Sequence, residues 1–173
     1  NNPLWNPYQA QVTFSGEADG PLTLNYRAVD RATNVEDFHG VQLTLDATAP
    51  VTTLSPGQPL HTDAGGSTYV TAATVFTLTA DDALSGVEAT EYKLDGAAWS
   101  PAAQFSISAE GAHTILYRSR DNLGNQEGDK ALNPVVDNTA PVTVITAGEP
   151  KYIAPDGKLF VAGQTIFTLA AAD

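Results

Sequence analysis

The sequence predicts an all-β chain of tandem antiparallel two-sheet sandwiches. Thr, Val, Gly, Pro and Asp are abundant and runs of Lys, Glu or Leu are absent, which favours strands joined by turns over long helices. Short stretches alternate apolar and polar residues with a period of two, as half-buried strands do. Most tellingly, Asp46-Ala-Thr-Ala-Pro-Val-Thr52 recurs as Asp137-Asn-Thr-Ala-Pro-Val-Thr143, an offset of 137 − 46 = 91 residues.

The same offset aligns most of the chain without a gap. Tyr26-Arg27 falls on Tyr117-Arg118, Asp30 on Asp121, Asn34 on Asn125 and Glu36 on Glu127. Past the recurring Ala-Pro, Gly57 meets Gly148, Pro59 meets Pro150, Val70 meets Val161, Phe76-Thr-Leu78 meets Phe167-Thr-Leu169, and Asp82 meets Asp173. Upstream, Trp5-Asn-Pro-Tyr8 resembles Trp99-Ser-Pro-Ala102 at an offset of 99 − 5 = 94, so a three-residue insertion precedes Phe14, the match of Phe105. The organisation expected is therefore the back part of one repeat (1–49), a complete repeat (50–140) and the front part of another (141–173). Natural domains usually begin and end near their edges, so this phase suggests a window on a longer array.

Within residues 50–140 the strands follow in order. Val51 to Leu54 opens the unit after the Ala-Pro break. Tyr69 to Ala80 gives a short strand and then Val75 to Thr79, with Phe76 and Leu78 on one face and Thr77 and Thr79 on the other. Over Glu88 to Leu94, Tyr92 and Leu94 share the inward face, and Asp95-Gly96 makes a tight hairpin turn toward Trp99. Phe105 and Ile107 mark another strand. His113 to Ser119 follows, with Ile115 and Tyr117 inward; then come an Asp121–Asn125 turn and a last strand from Leu132 to Asp137. Seven short strands of this kind suit a two-sheet sandwich.

Charge and composition exclude several functions. Eight Lys and Arg against 20 Asp and Glu give a net charge of −12, opposed to nucleic acid and to anionic membrane surfaces. No stretch approaches the roughly 20 apolar residues of a membrane-spanning helix. The absence of Cys removes disulfides, thiolate metal sites and Cys nucleophiles together, so stability must come from packed cores.

The series Tyr92-Lys-Leu-Asp-Gly96, Trp99, Glu110-Gly-Ala-His-Thr114, Tyr117-Arg-Ser-Arg-Asp121, Gly124-Asn125 and Asp137-Asn-Thr-Ala-Pro141 resembles the tandem immunoglobulin-like repeats of bacterial cell-surface and secreted proteins. The resemblance implies an Ig-like or fibronectin-III-like sandwich, an extracellular or cell-surface location, and a structural role in stalks, adhesin shafts or fibres. The partners expected are neighbouring repeats or identical subunits meeting head to tail. One departure is that Ala32-Thr33 replaces the Leu123-Gly124 of the second copy.

Catalysis finds little support. His39, His61 and His113 are matched by Lys130, Tyr152 and Leu22, which excludes a histidine role common to the repeats, and none of the usual hydrolase or phosphate-loop patterns occurs. Trp5 and Trp99, like Tyr26 and Tyr117, occupy equivalent positions and are expected to fill equivalent cores. Tyr8, in the insertion, is the candidate aromatic for stacking on a surface glycan. Calcium, which takes six to eight oxygen ligands, is suggested by recurring acids and amides at turns: Asp82, Asp121, Asn125, Glu127 and Asp137, with counterparts Asp173, Asp30, Asn34, Glu36 and Asp46. Turn capping by the same side chains is the competing account. The functional expectation is a non-enzymatic shaft or fibre segment; the alternatives are an adhesive or carbohydrate-binding module and an accessory domain of a larger secreted enzyme.

Overall fold

The computed structural model describes residues 11–173, and every regular element among them is a strand. In chain order these are β1 (Gly20–Tyr26), β2 (His39–Leu45), β3 (Val51–Pro56), β4 (Leu60–Thr62), β5 (Thr68–Val70), β6 (Phe76–Asp81), β7 (Val87–Leu94), β8 (Ser100–Pro101) and β9 (Gln104–Phe105). They continue with β10 (Gly111–Ala112), β11 (Ile115–Asp121), β12 (Lys130–Leu132), β13 (Pro134–Val136), β14 (Val142–Ala147), β15 (Lys151–Ile153), β16 (Leu159–Val161) and β17 (Phe167–Ala172).

Residues 50–140 build three sheets around one core. Their orders are β3-β6-β9, β12-β11-β7-β8 and β10-β13-β5-β4. Alternation explains which side chains meet. Phe76 from β6 is fully buried, as are Ile115 from β11 and Val136 from β13; Val70 and Ile107 join them, and Leu54, Leu60, Leu94, Phe105, Tyr117 and Leu132 pack against this cluster. Tyr92 lies flat on Phe105, with ring centroids 3.8 Å apart and planes within 5°, and Phe105 stacks in turn on Phe76 at 5.3 Å. The whole cluster comes from between residues 54 and 136.

The Asp95-Gly96 turn forms as its sequence requires. Both residues have positive φ, 47° and 77°, and Ala97 N–H donates to the Leu94 carbonyl at 2.9 Å. Other expectations are corrected. The strand anticipated around Phe105 and Ile107 is only two residues long, and Ile107 is buried beyond its end. The last anticipated strand is two short ones, because Pro134 has no N–H to continue the ladder with β11. β13 instead pairs with β5 in parallel, Pro134 opposite Thr68 and Val136 opposite Val70. Trp99 lies outside the core cluster. It precedes β8, whose Ser100 faces Tyr92, so Trp99 falls level with Lys93 on the outer face of the sheet. There the Arg118 guanidinium stacks 3.9 Å from the centre of its ring. Trp5, its sequence counterpart, is outside the described residues, as is Tyr8.

Backbone geometry recurs at the 91-residue offset. β3 and β6 pair Val51 with Asp81; β14 and β17 pair Val142 with Ala172. β4 and β5 pair Leu60 with Val70; β15 and β16 pair Lys151 with Val161. β1 and β2 set Leu24 opposite Val41, as β11 and β12 set Ile115 opposite Leu132. Both Gln58-Pro59 and Glu149-Pro150 are cis, and Thr74 Oγ1 donates to the Pro59 carbonyl at 2.6 Å just as Thr165 Oγ1 donates to that of Pro150.

Candidate metal centre

Three carboxylates converge where the segment before Pro50 meets the unit after it. Asp46, Asp82 and Asp121 each offer an oxygen, and the three oxygens lie within 4.8 Å of one another. Oxygens that close can share one hard cation, since two oxygens bound to calcium at about 2.4 Å can stand up to about 4.8 Å apart.

Local sequence puts each acid there. Asp46 ends the run after β2; its Oδ1 accepts from Thr48 N–H at 3.2 Å and its Oδ2 from Ser85 N–H at 2.9 Å, across the junction. Asp82 follows β6 and turns the chain toward β7, with Oδ1 accepting from Leu84 and Gly86 N–H groups at 3.2 and 2.7 Å. Asp121 closes β11. Its Oδ1 accepts from the N–H groups of Leu123 and Asn125, and its Oδ2 from the Asn125 side-chain amide at 2.7 Å. Burial opposes ionisation of Asp121, but the Asn125 amide and the surrounding backbone N–H groups outweigh it and hold the pKa below the usual carboxylate value. Beside this group, Ser85 Oγ is enclosed.

The expected ligands thus separate. Asp82 and Asp121 come together. Asn125 sits at the edge of the cluster and spends its amide on Asp121 and on the Asp46 carbonyl, 3.1 Å away. Glu127 points elsewhere: it accepts from Thr52, from Ser119 N–H at 3.0 Å and from Lys130 Nζ at 2.8 Å. Burial raises its pKa, the bonds from Lys130 and Thr52 lower it by more, and the net shift is downward. Asp137 is in the following linker, where its Oδ1 caps Thr139 N–H as Asp46 caps Thr48. The signal for Asp46 was its match with Asp137; what the alignment alone does not reveal is that a linker acid meets the turns of the unit downstream of it.

Other polar sites are structural in form. Asp30 and Asn34 repeat the Asp121 and Asn125 loop bond for bond in an exposed setting. His113 is held between Asp95 at 2.7 Å and the Ala109 carbonyl at 2.9 Å. An open groove of about 290 Å³ runs past Pro59, His61, Tyr69 and Asp137. No family model matches this chain, and no curated protein and no solved structure is significantly similar to it.

Proposed function

We propose that the chain is part of a non-enzymatic, extracellular, Ig-like repeat array serving as a shaft or fibre element, with calcium between successive repeats at Asp46, Asp82 and Asp121. The observation that carries the structural role is the recurrence of strand register and side-chain-to-backbone bonds at one fixed offset, from β3–β6 to β14–β17 and from Thr74 to Thr165. Repetition of backbone architecture, with the histidines left unmatched, suits beads in series better than one catalytic site. Calcium fits the donor set because all the donors are oxygens, and binding there would tie the linker acid to two turns of the next unit.

The test is a thermal melt in millimolar calcium against excess chelator, together with a glycan-array screen. Calcium bound only to the folded chain is expected to raise the melting temperature by roughly 4 °C or more. Asp82→Asn keeps the oxygen that caps Leu84 and Gly86 while removing the charge, and should abolish that rise; Asp137→Ala should leave it intact. An unchanged melt removes the calcium site, and selective capture of one glycan class overturns the structural role in favour of an adhesive one.

A further inference from the structure

We propose that Asp19 is the positioning residue of the junction before Pro50: it latches the linker onto the unit that precedes it, and the latched linker holds Asp46 against the turns of the unit that follows. The inference deepens the array reading above, and it needs no metal.

The two sides of the linker are held by different groups. On the near side, Asp19 accepts from residues 28 and 29 positions further along: its Oδ1 takes the Ala47 N–H at 2.8 Å and its Oδ2 the Thr48 hydroxyl. Thr48 N–H in turn donates to Asp46 Oδ1 at 3.2 Å, so the carboxylate that crosses the junction is aimed by a residue that Asp19 holds. On the far side, Asp46 Oδ2 accepts from Ser85 N–H at 2.9 Å and the Asp46 carbonyl from the Asn125 amide at 3.1 Å. The whole residue is only 8% exposed.

Little freedom is left between these holds. Only Ala49 separates Thr48 from Pro50. Pro50 is fully buried, its ring fixes φ, and the residue before a proline is driven toward extended conformations.

Local turn capping accounts for the bond from Thr48 N–H to Asp46, two residues away, but not for a bond to Thr48 from 29 positions earlier. The latch also recurs at the next junction. Glu110 stands 110 − 19 = 91 residues after Asp19. Its Oε1 accepts from the Thr139 hydroxyl at 2.7 Å, while Asp137 Oδ1 accepts from Thr139 N–H at 3.0 Å. There Asn138 adds a second tie to its own unit, its Oδ1 accepting from Ala72 N–H at 2.7 Å. Both acids are exposed, so their recurrence follows the linker threonine and not the filling of a core.

The Ser85 amide proton reports the far end of this series of contacts. Its hydrogen exchange in the 173-residue chain, resolved by residue and measured in excess chelator, is compared between the parent, Asp19→Ala, Thr48→Val and Asp19→Glu. Releasing the linker is expected to speed Ser85 exchange about fivefold in the first two variants. Asp19→Glu supplies the side chain that stands at position 110 and should keep the parent rate. Asp30→Ala is the control, because the bonds of Asp30 stay within its own loop. An unchanged Ser85 rate in Asp19→Ala, an equal rise in Asp19→Glu or Asp30→Ala, or a rise shared by the amides of β7 and β11 would overturn the proposal. The calcium melt and glycan screen read other properties of the parent chain, so failure of the latch is distinguishable from failure of the array reading.

Discussion

His113 carries the clearest pH dependence at the scale of single residues. The hydrogen bond that His113 makes to the Asp95 carboxylate, aided by the Ala109 carbonyl, raises its pKa above 6.5, while the bonds from Thr114 N–H and then His113 lower that of Asp95 below 3.8. A raised histidine pKa stabilises the fold fully below the unfolded value and loses that contribution as pH climbs through the folded one; the lowered aspartate works in the opposite direction at acid pH. The pair should thus contribute most between these two ordinary values, and melts across the pH range should show His113→Gln losing stability relative to the parent below about pH 6.5 and converging on it in base. A second contrast concerns the aromatics. Phe76→Ala should cost about 3–5 kcal/mol in denaturant unfolding, whereas Trp99→Ala, which gives up a stacked guanidinium on the outer face, should cost about 1 kcal/mol from that contact. Period-two alternation made Phe76, Leu78 and Tyr92 legible from sequence. Trp99 was not, because it precedes a two-residue strand too short to show which face it takes.

Elements differ in how plainly their sequences announce them. Asp95-Gly96 specifies its turn through the positive φ both positions require, and Gly96→Ala should destabilise the chain by about 1 kcal/mol in the same unfolding assay. β4 announces nothing, since three residues hold no period; its place is set by pairing with β5. The acidic turns were visible as recurring letters, yet an offset matches like with like, while the contacts join unlike parts: a linker acid to the turns after β6 and β11. Asn125 exposes the difference. Its amide reaches both Asp121 and the Asp46 carbonyl, whereas among the described residues the Asn34 amide reaches Asp30. Asn125→Ala should therefore lower the melting temperature by several degrees and Asn34→Ala by much less, measured by calorimetry.

For the whole molecule, the core cluster lying between residues 54 and 136 leads to the expectation that residues 50–140 fold alone, with one cooperative unfolding transition by calorimetry and circular dichroism. Multiple transitions, or none, would show that the flanking hairpins are needed. The parallel pairing of β13 with β5 has a mechanical consequence. Tension entering the unit through Asp137 first meets the bond from Asp137 N–H to the Val70 carbonyl, then the ladder joining Pro134–Val136 to Thr68–Val70. A pull directed along β13 loads those bonds in shear, so they must give way together, whereas a hairpin pulled open at its ends yields one bond at a time. In the array proposed above, a parallel clasp at the exit of each unit would let the repeats bear load without lengthening.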